Sequence, residues 1–256
     1  MISGRKFAWC LVLLVGCTDA ATRKIDEGNR LAKAGKLDDA AKSFETAARL
    51  GNPVRAQVLL GNVRWAQGRR ADAKAAYAEA LDAGPAEADA LIGYAKSQLA
   101  DGDAKGAAQS ASTVLTQTPN RADARLVRAA ARLAAQQELE AALEDADAAL
   151  SVAGPAGDAD ALYVKGCVLI ALKRFADAQA AFSSLEQRHP RSPLSAYGQA
   201  RLAAAQNHKT DLKAYLFDAK NELGEGFQPS RVALDPAFDF VRDDPDLALL
   251  GRDGGP

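Results

Sequence analysis

Three cysteines, Cys10, Cys17 and Cys167, and two histidines, His189 and His208, are the residues of this 256-residue chain best suited to nucleophilic, redox or metal chemistry. Their spacing supports none of these. No two cysteines stand at metal-ligand distance in sequence, there is no CxxC, and each histidine stands alone. A glycine-rich phosphate loop, a Gly-x-Ser-x-Gly elbow and a His-Glu-x-x-His helix are all missing from the sequence. The acidic run "RDDPD" lacks the alternation of a calcium loop and reads as a solvated turn. Cys167, in a helical context, is either a small buried hydrophobe or a reactive thiol. His189, just before Pro190, reads as a turn residue. The expectation is therefore no catalytic residue, no metal and no small-molecule substrate. With 32 Lys+Arg against 33 Asp+Glu, there is no broad basic footprint for nucleic acid either.

One cysteine has a chemical context of a different kind. Arg5 and Lys6 precede "FAWCLVLLVG", ten residues without a charge, which ends against Cys17. A basic start followed by an apolar run of this length is the layout of a secretory leader. The run is too short for a spanning helix, which needs about 20 apolar residues, and it has no amphipathic period. Leu14-Val15-Gly16-Cys17 resembles the lipobox of bacterial lipoproteins. That resemblance implies removal of residues 1–16, acylation of Cys17 (palmitate among the chains), and a membrane anchor as the one covalent addition to the chain. Two or three acyl chains make a lasting anchor where one does not. Thr18 follows the cysteine and Asp19 comes one place later, which resembles an outer-membrane address. Without residues 1–16 the count becomes 30 basic against 33 acidic, net −3. Cys167 is then the only thiol left, so the fold must hold by packing rather than by disulfides.

The elements around these residues repeat. Alanine recurs in almost every block of ten, aromatic content is 6%, and Val/Ile runs are missing beyond the leader; alanine is the strongest helix former. Stretches starting at Gly35, Gly68, Gly102, Gln136 and Lys173 align at intervals of 33 to 37 residues. Each has Ala at its sixth place: Ala40, Ala73, Ala107, Ala141 and Ala178. Twelve residues before each stands another small residue: Gly28, Gly61, Ala95, Ala129 and Gly166. Small residues at a helix crossing let two antiparallel helices approach closely, so both sets are expected to carry the packing of each repeat. Gly35, Gly68 and Gly102 suit the left-handed cap of a first helix.

This pattern resembles the tetratricopeptide repeat, a 34-residue helix-turn-helix unit. Its aromatic place holds Phe44, Tyr77 and Phe182, while Ala111 and Asp145 depart from it in the third and fourth repeats. Its next place holds Ala47, Ala80 and Ala148, and its proline place Pro85, Pro119 and Pro190. The resemblance implies an all-α, right-handed solenoid superhelix of antiparallel helix pairs. Its expected segments are a removed leader, 1–16; a lipidated linker, 17–21; and five repeats near 22–53, 54–87, 88–120, 121–156 and 158–191. A degenerate sixth pair, 192–223, precedes a cap and disordered end, 224–256. "SPLSAY" after Phe182 is similar to repeats of periplasmic envelope-assembly proteins. The tail is similar to a segment closing many bacterial tetratricopeptide proteins, with Leu234, Phe238, Phe240, Val241, Leu247 and Leu250 as its apolar cap residues.

In the family, ligand contacts come mostly from the second, fifth, ninth and twelfth places of the first helices. Carried over, these are Asn29 in repeat one; Arg55, Val58, Asn62 and Trp65 in repeat two; Lys96 in repeat three; and Tyr163 in repeat five. Ile25, Ile92 and Cys167 hold further places of the same rows. Asn29 and Asn62 either share a peptide-binding groove or are tolerated polar residues, and Trp65 either anchors a partner or packs between helices. Ile25 and Asp89 stand where a carboxylate clamp would need cations. The expected function is a membrane-anchored, non-catalytic scaffold that binds another protein of the cell envelope through its concave groove. It would be lipid-anchored at the outer membrane and face the periplasm. Pilotin-like or barrel-assembly accessories, and accessories positioning cell-wall enzymes, are the alternatives.

Overall fold

The structure is a computed structural model that describes residues 20–84, 87–152, 154, 157–223 and 237–238. Cys17, its leader and most of the tail lie outside the described residues. Among the described residues there are twelve α-helices and no strand. They fall into two compact units, residues 1–117 and 118–256.

The first unit contains α1 (20–33), α2 (Leu37–Arg49), α3 (Pro53–Ala66), α4 (Arg70–Ala83), α5 (Ala88–Ala100) and α6 (Ala104–Gln117). The second contains α7 (Ala122–Ala134), α8 (Leu139–Val152), α9 (Asp158–Ala171), α10 (Phe175–Arg188), α11 (Pro193–Ala205) and α12 (Lys209–Leu223). From α2 onward, successive helices within a unit pack on one another, and alternate first helices also touch, as α3 does α5 and α9 does α11. Pro53 and Pro193 open their helices at the first turn, where a missing N–H costs nothing.

One turn joins the two helices of each pair. Gly35 N–H donates to the Ala32 carbonyl at 3.0 Å and Lys36 N–H to Leu31 at 2.9 Å. The same two bonds recur after α3, α5, α7, α9 and α11. The turn needs a left-handed residue, which is Gly35 (φ 74°), Gly68 (φ 75°) and Gly102 (φ 84°) in the first unit. In the second unit Gln136 (φ 51°), Lys173 (φ 59°) and Asn207 (φ 60°) take that conformation without the relief of glycine.

The fourth turn carries one residue more than the others. Glu138 is also left-handed (φ 50°), and α8 begins three residues after Gln136 instead of two. The residue whose N–H closes the first helical bond to the cap carbonyl is Ala40, Ala73, Ala107, Ala178 and Leu212 in the other pairs, but Ala142 in this one. The spacing-based alignment is therefore off by one there. Ala142 is fully buried, whereas Ala141 is only half-buried and receives Arg132 on its carbonyl at 3.3 Å. The aromatic place of repeat four holds Ala146, not Asp145, and the next place holds Ala149, not Ala148. Ala146 and Ala149 are both fully buried.

With that correction a packing rule appears. Gly28, Gly61 and Gly166 lie under the rings of Phe44, Tyr77 and Phe182; a methyl group on any of them would fall 2.3–2.5 Å from a ring carbon. Ala129, the counterpart in repeat four, carries a methyl group, and there the ring is replaced by Ala146. Ala95 and Ala111 form the same small-for-large exchange in repeat three. Gly93 and Gly198, from the following repeats, close on the far side of Tyr77 and Phe182, with equivalent clearances of 2.3 and 2.4 Å. Phe238 is buried against α11 and α12 among Ala200, Leu212 and Leu216. It meets Tyr197 edge-on at 5.5 Å, covering apolar surface that a further repeat would otherwise cover.

Candidate functional site

The rows of first-helix places separate into a floor and a surface. In the first unit the fifth-place residues are core: Ile25 is 2% exposed, Val58 6% and Ile92 4%. Val58 packs with Ala80 and Ala90, so it is not a groove residue; a branched apolar side chain at this place is claimed by the neighbouring helices. The ninth-place row stands above that floor. Asn62 and Lys96 are exposed and Asn29 is half-buried; Arg55, at the second place of α3, is exposed too.

Asn62 is held from below. The Tyr77 hydroxyl donates to its Oδ1 at 2.7 Å, and burial pushes the phenol up to about 12, so the group is a proton donor throughout the neutral range. The only sign of this bond in the sequence is that the aromatic place of repeat two is Tyr. Repeat one has Phe44 there, and Asn29 has no such support. Trp65 is half-buried, with the Arg70 guanidinium 5.8 Å from its ring centroid, a cation–π distance.

In the second unit the fifth-place Tyr163 is half-buried and the ninth-place Cys167 buried, the reverse of the first unit. Tyr163 is packed between Phe182 (6.3 Å) and Tyr197 (6.5 Å), and burial raises its phenol well above the usual value. It stays half-buried, so part of its surface remains open beside the aromatic core. Cys167 is 5% exposed, as a small buried hydrophobe should be.

Three features of this unit are not singled out by the sequence pattern. Asp145, 4% exposed at its side chain, is gripped by three arginines of α7 spaced along one helix face. Arg128 forks onto both carboxylate oxygens at 2.7 Å, Arg132 reaches Oδ2 at 2.7 Å and Arg125 reaches Oδ1 at 3.4 Å. The carboxylate raises the Arg128 guanidinium further above its usual range. The run 138–147 thus holds one buried, paired carboxylate among exposed ones. Asp158, buried at the start of α9, pairs with Arg188 and His189 at the end of α10, which makes His189 more than a turn residue. Between α8, α9 and α10 lies a cleft of about 420 Å³ with Leu143, Leu162 and Leu169 in its floor. The ion pairs Lys165–Asp147 (2.7 Å) and Arg174–Asp177 (2.8 Å) stand among its lining residues. The readable signal is Leu at seven-residue spacing, 143/150 and 162/169, which is one stripe on each helix.

Among the described residues no cluster of His, Cys, Asp or Glu is arranged to hold a metal ion, and no helix is long and apolar enough to cross a membrane. Each unit offers its own surface: polar and aromatic groups on the first helices of the first unit, and in the second unit a cleft with a leucine floor and a charged rim.

No curated protein matches the chain by sequence. Solved structures match by fold. TTC0263, a thermophilic TPR protein of Thermus thermophilus, is 22% identical, with 72% of this chain and 98% of that one covered and a TM-score of 0.62. PilF of Pseudomonas aeruginosa is 18% identical over 83% of this chain and 95% of that one, with a TM-score of 0.61. YrrB, described as a TPR protein with an unusual peptide-binding site, is 20% identical over 68% and 89%, with a TM-score of 0.51. The family model for the tetratricopeptide repeat matches residues 25–69, 58–122 and 163–211, more than half of the chain. It passes over 123–162, where the extra turn residue and the arginine-bound Asp145 break the pattern. With the helix pairs, the shared turn and the glycine–ring packing, this match makes the chain a member of the tetratricopeptide repeat family, an all-α helical repeat protein built for protein–protein interaction.

Proposed function

We propose that this protein is a non-catalytic, lipid-anchored scaffold that binds another protein of the cell envelope through the first-helix face of its repeats. The observation that carries the reading is the polar row Asn29–Asn62–Lys96 above the buried row Ile25–Val58–Ile92. An amide that both donates and accepts suits an extended peptide backbone, and Asn62 is already oriented by Tyr77. Trp65 supplies an adjacent aromatic anchor. The peptide-binding site ascribed to YrrB, a chain of similar fold, supports a peptide as the ligand class here. The anchor rests on the apolar run ending in Leu14-Val15-Gly16-Cys17, and Thr18 favours the outer membrane with the repeats facing the periplasm. Within this class, a pilotin-like role or help in barrel assembly uses that same face.

The test has two arms. Cells producing the protein are labelled with a fatty-acid analogue. Cys17→Ser is expected to abolish labelling and release the protein from membranes, and retained labelling refutes the anchor. Changing Asn29, Asn62 and Trp65 together to Ala is expected to abolish client capture without loss of helicity. The cleft between α8 and α10 favours a second reading, an accessory that positions cell-wall enzymes through the second-helix side. In that case capture survives the triple change and is lost with Ala180→Glu.

A further inference from the structure

The first-helix face of the second unit is apolar at places where the first unit is polar. Leu126 and Leu133 of α7, Tyr163 and Ile170 of α9 and Tyr197 of α11 hold its fifth and twelfth places, and all five are half-buried. Arg201, at the ninth place of α11, is the cation at the far end of the row. Tyr163 and Tyr197 stand side by side, with ring centroids 6.5 Å apart. One end of this aromatic pair is already covered from outside the helix pairs. Phe238 is buried and meets Tyr197 edge-on at 5.5 Å. Tyr163, the next ring along, keeps part of its surface uncovered.

We infer that Phe240 docks on Tyr163, so that the chain's own tail covers this apolar row. Three observations single out residues 239–250 as the occupant. The first is position: Phe238 brings the chain to Tyr197, beside the uncovered ring. The second is reach. Two residues of backbone span at most about 7 Å, which matches the 6.5 Å step from Tyr197 to Tyr163. Residues two apart in an extended segment also point to one face. The third is composition, since Phe240, Val241, Leu247, Leu249 and Leu250 all fall in this stretch. A tethered segment is present at high effective concentration, so it outcompetes a free peptide of equal contact. Phe238 alone covers the end formed by α11 and α12; Phe240 carries the cover inward to α9. The inference stands apart from the anchor and the client, because the exposed Asn62 and Lys96 belong to the first unit.

The experiment uses the full chain with a photoreactive phenylalanine analogue at Phe240. The purified protein is irradiated over a range of concentrations, and adducts are mapped by mass spectrometry after digestion. Adducts are expected on the α9 segment that holds Tyr163 and Ile170, within one chain and at a yield independent of concentration. Tyr163→Ser should lower that yield at least about fivefold, with circular dichroism showing that the helices remain. Phe240→Ser leaves every described side chain in place and supplies a second reading. In hydroxyl-radical footprinting it should raise oxidation of Tyr163 and Ile170 severalfold, with peptides of the first unit unchanged, while Phe240→Leu stays near the native level. Adducts confined to α11 and α12 overturn the inference, since the tail then covers only the end of the array. Adducts on α9 whose yield climbs with protein concentration assign the row to a second copy's tail and overturn it too. No adduct on α9, or unchanged oxidation in Phe240→Ser, overturns it likewise and leaves the row to a partner's apolar segment.

Discussion

Replacing Asp145 by Asn tests how the fourth repeat is held, because the change preserves shape and removes only the charge. In the native chain one carboxylate, 4% exposed, is shared by three guanidinium groups that are themselves 20–23% exposed; Arg132 also pairs with Glu138 at 2.9 Å and Arg125 donates to the Pro119 carbonyl at 3.1 Å. An amide offers one acceptor oxygen, and its NH2 group points at donors that cannot accept. Removing one partner from a buried ion pair costs about 3–5 kcal/mol. Water reaches the arginine edges here, which places D145N near the lower figure, about 3 kcal/mol. The loss should be confined to α7 and α8, since stability in a repeat array is local and passes to nearest neighbours. Hydrogen exchange of the full chain reads this directly: amides of α7 and α8 should exchange about 100-fold faster, while those of α2 to α4 keep their protection. Replacing Asp145, Arg128 and Arg132 together by Leu should recover most of the loss, since an apolar set of similar volume avoids the desolvation cost. A D145N effect below about 1 kcal/mol, or one spread evenly over all repeats, would refute the account of this cluster.

Two more outcomes follow from the aromatic sandwich. Gly93→Ala puts a methyl group 2.3 Å from the Tyr77 ring and should destabilise the first unit by about 1–3 kcal/mol in denaturant unfolding, with Gly93→Ala/Tyr77→Ala partly relieving the clash. Tyr77 has a folded value near 12 against 10 for the free phenol, so its contribution is complete below pH 10 and is lost as pH rises toward 12. Absorbance titration should show late ionisation from both Tyr77 and Tyr163, with the late amplitude reduced by one tyrosine in Tyr77→Phe; an unchanged late amplitude in that variant would contradict the burial argument.

Much of this architecture is legible from spacing alone. Gly35, Gly68 and Gly102 mark their turns because glycine is the residue that takes a left-handed conformation at no cost. Gln136, Lys173 and Asn207 adopt it too, but nothing in their chemistry announces it. The misplaced Ala141 has the same origin: an extra residue in a turn moves every later residue by about 100° around the helix, and counting from Gln136 cannot detect it. Val58 falls in a groove row by its place in the repeat, whereas its burial depends on neighbours that only tertiary packing supplies. The arginines of α7 are visible in sequence at 125, 128 and 132, but their shared carboxylate emerges only once α8 is in its true alignment.

Site-specific photocrosslinking in living cells tests the proposed binding face most directly. A photoreactive residue is introduced at Asn62 or Lys96 on the first-helix surface, and at Glu79 or Ala180 on second helices, all in the full anchored chain. The account predicts discrete protein adducts from Asn62 and Lys96, absent from Glu79 and Ala180 and lost when Trp65 is changed to Ala. Adducts arising only from Glu79 or Ala180, or unaffected by Trp65, would contradict it.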